Sequence, residues 1–404
     1  MGVLIRKHRG TFIFTGIAKL AVIMLVVSLA SSFIDTIWAI YLEGLLKNIS
    51  LVSFFSAFLT VVSFASCFFI IPLVEKHNKS KLFMLSLFFI AISYFLFMIN
   101  KNLYFFIALA SLLTLFTALR ASSFGIIIRD RSGKRQLSRN EGIMYTFFNI
   151  AWVIGPLIAG YLADAYGIPL VFGISSVFIF LSLIIFRISK INDANIKKRS
   201  DTKLLKNFLD FFKNKNRIKA YIISGGANLW WILIYLYMPI YIIQHNLGDI
   251  WIGYFLFAVA VPLILFEYPA SKLAGRIGFK KMFKIGFLSV AIVSFSCFFI
   301  SNIYIILGLL VLGSIGISMV EPTTEAYFFD ILKTKGEESR YYSIYNTTID
   351  ANHFVGKFLA GALLLFTPFK AVFLFFAFFM FLYFLLAFRI KEVKEYMKGM
   401  QRGS

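Results

Sequence analysis

The sequence predicts an all-α integral membrane protein of twelve transmembrane helices, arranged as two pseudo-symmetric six-helix bundles. Three observations carry this. Hydrophobic residues fill 60% of the 404 positions and charged residues only 15%, a balance foreign to a soluble globular chain. The apolar residues fall in twelve runs, each near the ~20 residues that a helix needs to cross the hydrocarbon core. The pattern of the first half also recurs in the second at an offset of about 200 residues.

In chain order the runs are roughly 18–45, 50–73, 82–99, 103–128, 141–164, 168–188, 218–244, 250–272, 282–300, 303–331, 340–366 and 369–389. Barrel strands would be about 10 residues long and strictly alternating, which these are not. Residues 20–30 have the length of a secretory leader core, with Ala30-Ser31-Ser32 as a cleavage site. The run continues to Leu42, however, so it is read as the first span. Cys67 and Cys297 each sit inside an apolar run and imply no disulfide framework.

Between spans 6 and 7 the stretch Arg187–Lys219 carries eleven Lys or Arg against three acids. It reads as a solvated linker. It divides the chain into an N-terminal bundle (1–190), a basic cytoplasmic linker (191–216) and a C-terminal bundle (217–404). The net charge of +22 lies mostly in such gaps, which suits an anionic inner leaflet rather than nucleic acid. With both termini cytoplasmic, 36 of the 41 Lys and Arg fall inside, three fall outside (Lys47, Lys101 and Lys370), and Arg120 and Lys357 lie within the membrane. That bias sets the orientation in a cell (plasma) membrane.

The repeat has specific marks. Ile40-Tyr41 recurs as Ile240-Tyr241, Gly155-x-x-x-Ala159-Gly160 recurs as Gly356-x-x-x-Ala360-Gly361, and Arg120 aligns with Glu321. Internal repeats of this kind point to a transporter with its site between the halves near the midplane. Charges inside a membrane are costly and usually face a bundle interior or a wet cavity. Away from the span ends they are Asp35, Arg120, Glu267, Glu321, Glu325, Asp350 and Lys357, while spans 3, 6, 9 and 12 hold none away from theirs. Every third helix is therefore expected to face lipid. Asp350, His353 and Lys357 share a helical face, as do Asn228, Trp231 and Tyr235. The substrate or proton pathway is assigned to Asp35, Trp38, Arg120, Asn228, Trp231, Tyr235, Glu321, Asp350 and His353, with Asp35 and Asp350, both near mid-span by residue count, as proton carriers. Glu267, beside Tyr268-Pro269, is read as a loop anchor. Gly155 and Pro156 bend span 5, and with Gly356 they are assigned to hinges. No Walker lysine motif, paired Cys, HExxH or GxSxG occurs, so no catalytic residue, metal or cofactor is assigned.

With twelve spans, a central loop and two repeated halves, the chain resembles a major facilitator superfamily transporter over nearly its whole length. The family's loop motif is matched in part by Ser271-Lys-Leu273-Ala274-Gly275-Arg276-Ile-Gly278-Phe279-Lys280. The first-half copy, Ile71-Pro-Leu73-Val74-Glu75-Lys76-His-Asn78-Lys79-Ser80, has Glu for Asp and Asn for the second Gly. Arg120 resembles the family's span 4 arginine. Ala151-Trp-Val-Ile-Gly155-Pro156-Leu-Ile-Ala159-Gly160 resembles the span 5 motif of antiporters. The resemblance implies two bundles rocking around a site lined by spans 1, 4, 7 and 10, with gating contacts at Glu75, Lys76, Arg276 and Gly278.

The expected function is secondary active transport by alternating access, specifically proton-coupled efflux of amphipathic or cationic compounds. The alternatives are proton-coupled uptake of a sugar or organic anion and, in another class, a polytopic membrane enzyme or lipid scramblase. The expected partners are a small-molecule substrate, protons and the bilayer, with the chain as a monomer. The charge bias makes a direct prediction. In a variant with Cys67 and Cys297 replaced, Lys197→Cys should react with a membrane-impermeant maleimide only after the cells are opened. Labelling in intact cells would reverse the topology.

Overall fold

The computed structural model of the chain describes residues 5–8, 11–14, 16–131, 137–191, 204–332 and 335–391. An antiparallel pair, β1 (Ile5–His8) and β2 (Thr11–Phe14), comes first, ahead of residue 18 where the sequence assigned no element. The first half then runs α1 (Gly16–Leu46), α2 (Ile49–Lys76), α3 (Lys79–Ile99), α4 (Leu103–Arg131), α5 (Leu137–Tyr166) and α6 (Ile168–Ile188). The second half runs α7 (Leu204–Phe212), α8 (Lys215–Ile232), a π-helical turn at Leu233–Tyr237, α9 (Met238–Gln244) and α10 (Asp249–Ile277). It ends with α11 (Phe279–Phe299), α12 (Ile303–Ile331), α13 (Lys335–Asn346), α14 (Thr348–Leu364) and α15 (Ala371–Ala387).

Among the described residues, ten helices are long and apolar enough to cross a membrane, with α8, the π turn and α9 counting as one. Ala371–Ala387 is a shorter apolar helix of 17 residues. The span expected at 340–366 is not continuous. It breaks at Thr347 into α13 and α14, and α13 is polar. Asp350 therefore sits in the first turn of a helix rather than near the middle of one, where a carboxylate suits the helix dipole.

The first N–H groups of a helix have no partner within it and are served by side chains or water. Asparagine serves them repeatedly. Asn78 accepts from Lys81 N at 2.8 Å, Asn302 from Tyr304 N at 2.9 Å, and Asn214 from Asn216 N at 2.9 Å. Gly278 opens α11 differently, with φ of 89° that only glycine adopts readily. The two copies of the loop motif thus turn by two devices, an asparagine cap in the first and a left-handed glycine in the second.

The chain falls into two compact units. Unit 1 comprises Met1–Leu45, Val61–Ser200 and Gly248–Tyr254; unit 2 comprises Leu46–Thr60, Asp201–Leu247 and Phe255–Ser404. Within unit 1, α3 packs on α4 and α6. Within unit 2, α11, which starts 200 residues after α3, packs in the same way on α12 and α15. These inner contacts leave large apolar side chains exposed on the outer faces of the third helices, among them Phe95, Val177, Ile292 and Phe378. An exposed apolar surface of that extent suits lipid.

The units depart from a clean division at the middle of the chain, because the starts of α2 and α10 change sides. Small residues explain both exchanges. In unit 1 a Cβ on Gly160 would lie 2.9 Å from Gly253 Cα, so α5 and the start of α10 meet backbone to backbone. In unit 2 a Cβ on Gly361 would lie 2.8 Å from Ser53 Cβ, which brings α14 against the start of α2, and Ser53 Oγ lies 2.9 Å from Tyr237 Oη.

The linker also differs from its expected solvated state. Residues 192–203 lie outside the described residues, but Leu204–Phe212 is an amphipathic helix. Its Phe211 is fully buried, with ring centroids 5.8 Å from Tyr341 and 5.9 Å from Tyr221. Arg217 caps it, donating from Nη2 to Asp210 O at 2.7 Å and from Nε to Phe211 O at 3.2 Å, while its guanidinium lies 4.1 Å from the Tyr341 ring centroid. A hydrogen bond from Lys213, reinforced by Arg340, holds the Asp210 carboxyl below its ordinary range. A depressed carboxyl stabilises the docked form above its unfolded pKa, and that contribution fades as the pH falls through the carboxylate range. Eleven basic residues masked a short apolar face.

Phe211→Ala should therefore cost about 3–5 kcal/mol of unit 2 stability, the range for a buried Phe. In detergent it should lower the melting temperature and open the 204–212 segment to protease at neutral pH. Unchanged protection would show that the burial of Phe211 does not hold this helix.

Candidate functional site

Unit 2 gathers its polar groups around α8, which packs on both α12 and α14. Asn228, Trp231 and Tyr235 follow the helical repeat on one face, and the π turn begins two residues after Trp231. Extra turns of this kind concentrate at functional sites because they re-aim side chains. Trp231 Nε1 donates to both oxygens of Glu321, at 3.2 and 3.3 Å, and its ring centroid lies 5.6 Å from that of Tyr235. Glu321 immediately precedes Pro322 inside α12. Glu267 on α10, between Pro262 and Pro269, lies within electrostatic reach of Glu321. Glu267, read from the sequence as a loop anchor, thus shares the electrostatic surroundings of Glu321. Glu325, one turn beyond Glu321, accepts a hydrogen bond from Tyr342 instead.

On the other side of α8, the His353 ring hydrogen-bonds the backbone of Asn228, and Lys357 lies within electrostatic reach of it. Lys357 Nζ donates to Thr60 Oγ1 at 3.1 Å. His353 Nε2 is buried without a hydrogen-bond partner among the described residues. Gly356 permits the approach of α14 to α8, since a Cβ there would lie 2.4 Å from Leu229 Cδ2. Asp350 lies within reach of Tyr221. Asn352 was not singled out from the sequence, yet it accepts from Tyr383 Oη at 2.9 Å and fills the space a side chain at Gly225 would need.

Unit 1 holds a separate cluster. Arg120 lies within electrostatic reach of Asp35 and Tyr94, and Tyr94 is hydrogen-bonded to Ser31. The Tyr94 hydroxyl was missed because a tyrosine in an apolar run reads as packing. Trp38 stands in an aromatic group, its ring centroid 5.7 Å from Phe97 and 6.0 Å from Phe106. Gly155 lets α5 lie against α1, where a Cβ would fall 1.7 Å from Ser32 Oγ, and Ser32 in turn donates to Ala151 O at 3.1 Å. Pro156 lies inside the same helix. Arg120 and Glu321 belong to different units.

Of the residues assigned to gating, Lys76 and Arg276 are exposed in the last turns of α2 and α10, and Gly278 forms the turn that follows α10. The Glu75 side chain lies outside the described residues. Among the described residues, no three His, Cys, Asp or Glu come together as metal ligands would. The arrangement offers carboxylates beside aromatic faces in one place and an imidazole–ammonium pair in another.

Comparison with known proteins agrees with this architecture. The sequence profile of the Major Facilitator Superfamily matches residues 20–266 and 252–402. An uncharacterized MFS-type transporter of Methanocaldococcus jannaschii is 25% identical over 348 residues, covering 83% of this chain and 87% of its own. A POT family transporter solved in complex with 5-aminolevulinic acid superposes with a TM-score of 0.73 at 12% identity, covering 92% of this chain and 95% of its own. The nucleoside transporter NupG gives 0.73 at 13% identity, covering 93% and 100%. At these identities the two structures establish the fold alone.

The unit 1 cluster is testable. A guanidinium cannot shed its charge, and within a membrane span it and the carboxylate in its reach each cost free energy when left without the other. Arg120→Ala should therefore lower the melting temperature in detergent, and adding Asp35→Asn should restore most of it. A double variant no more stable than the single would show that Asp35 and Arg120 are not coupled.

Proposed function

This chain belongs to the Major Facilitator Superfamily and is a multi-pass membrane transporter; on that premise we propose that it exports amphipathic or cationic small molecules by alternating access, in exchange for protons. The observation that carries the reading is the hydrogen bond of Trp231 to Glu321, with Glu267 alongside. An indole that donates its N–H to a carboxylate leaves its π face for an organic cation, and Tyr235 adds a second ring. Two neighbouring carboxylates favour holding one proton between them, and an arriving cation displaces it. That competition is the minimum chemistry of exchange. Asp35 serves as a further proton carrier, whereas Asp350, in the first turn of α14, is placed to stay ionised. Gly155, Pro156 and Gly356 act as hinges, and the loops at Glu75, Lys76, Arg276 and Gly278 close the inner face. The chain works as a monomer in the cell membrane and performs no covalent chemistry.

A second reading rests on a different observation. His353 Nε2 lacks a hydrogen-bond partner among the described residues, and Lys357 lies beside that ring. An imidazole and an ammonium together suit the carboxylate of an organic anion, taken up with protons.

Proteoliposomes separate the readings. With a pH gradient imposed, the wild-type protein should move ethidium against its concentration, and the gradient should be required. Charge-assisted contacts are worth ~1.5–3 kcal/mol, so Glu321→Gln should weaken apparent ethidium affinity about 10- to 100-fold. Lys357→Gln should leave it within a few-fold. Gradient-independent lipid flipping or turnover in detergent would place the protein in another class. Organic-anion uptake lost in Lys357→Gln but kept in Glu321→Gln would favour the second reading.

A further inference from the structure

Away from the transport site, the outer face of unit 1 carries a groove of about 480 Å³ between α3 and α6, lined by Lys81, Met84, Leu85, Phe88, Leu183 and Arg187. The two cations sit together at one end, because Lys81 lies in the first turn of α3 and Arg187 in the last turn of α6. From Lys81 to Phe88 the helix advances ~10 Å, and from Arg187 back to Leu183 ~6 Å. The floor is therefore apolar and runs from the charged rim into the depth of the hydrocarbon. Both cations are exposed, and neither joins an ion pair among the described residues. Lys81 also lies at the positive end of the α3 dipole, where only an anion from outside the helix relieves it. A free phosphate would satisfy the rim and leave the apolar floor uncovered.

The second repeat fills one of the corresponding positions differently. The residue 200 positions beyond Met84 is Lys284, and its ammonium lies 4.4 Å from the Phe388 ring centroid, at the corresponding end of α11 and α15. Unit 2 covers this position with its own cation and ring. Unit 1 has a methionine there and keeps its cations on the rim.

We propose that the α3–α6 groove binds one anionic phospholipid of the adjoining leaflet, with its phosphate on Lys81 and Arg187 and an acyl chain along Met84, Leu85, Phe88 and Leu183. The charge bias makes that leaflet the cytoplasmic one, whose lipids are the anionic ones. The site stands apart from the transport reaction and does not depend on which substrate the protein carries.

The test uses the full-length protein in phosphatidylcholine nanodiscs containing a small fraction of phosphatidylglycerol with a diazirine on its acyl chain. After irradiation, labelled peptides are mapped by mass spectrometry. Label should concentrate on Met84–Phe88 and around Leu183, well above that from phosphatidylcholine carrying the same diazirine. Near an anionic surface each cation is worth about fivefold in binding, so K81Q/R187Q should reduce this label by about tenfold or more. K284Q should leave it unchanged, and label from the phosphatidylcholine probe elsewhere on the chain should stay constant, which shows that the variants are folded. Equal labelling by the two lipids, or an unchanged signal in K81Q/R187Q, would reduce the groove to ordinary lipid contact and overturn the proposal. Loss of the phosphatidylglycerol label on adding millimolar inorganic phosphate would assign the cations to a soluble anion and overturn it equally.

Discussion

A charged group in hydrocarbon must carry its partner with it, and the rest of this structure is arranged around that requirement. Glu321 has Trp231, Arg120 has Asp35 and Tyr94, and Lys357 has Thr60. Each association joins two helices, so each also helps to fix how its helices pack. At the exposed helix starts, asparagine side chains serve the N–H groups that a helix leaves without partners. Helices whose charges lie only near their ends need no such partners in the hydrocarbon and are free to form the outer surface.

The spans were legible because length and apolarity are what a bilayer selects. Most of the boundaries follow from composition alone, and the repeat of α3 and α4 in α11 and α12 was visible as spacing. What escaped was local. The break at Thr347 lies in a run where Tyr, Ser and Asn make neither a clear loop nor a clear span. The helix at Leu204–Phe212 was hidden because charge content over a long window outweighs six apolar residues in a short one. The π turn has no signature in the sequence, since it differs from an α-turn only in which carbonyl each N–H finds.

The site was legible at its charged members and poorly legible at its neutral ones. Asp35, Arg120, Glu321 and His353 announce themselves inside apolar runs. Tyr94 and Asn352 complete the clusters through single hydroxyl and amide groups, which the sequence cannot distinguish from packing or capping. Glu267 was read as a loop anchor because it precedes Tyr268-Pro269; that it lies within electrostatic reach of Glu321 depends on the fold and not on its neighbours in sequence. The glycines were read as hinges, and the structure gives each a nearer cause in the backbone or side chain that fills the missing Cβ space.

The turn at Leu233–Tyr237 has a consequence for how the seventh span differs from the first. Its counterpart α1 is a single continuous α-helix of 31 residues, whereas the seventh span accommodates one residue more than regular winding allows. Such an excess residue is a dislocation, and it can travel. Were it to migrate by a turn, each residue it passed would rotate by ~100° while the helix ends stayed in place. Tyr235 lies within the dislocation and Trp231 just before it, so the two rings need not turn together. A helix built this way can change the face it shows without bending, tilting or breaking, at the cost of exchanging a few hydrogen bonds for equivalent ones.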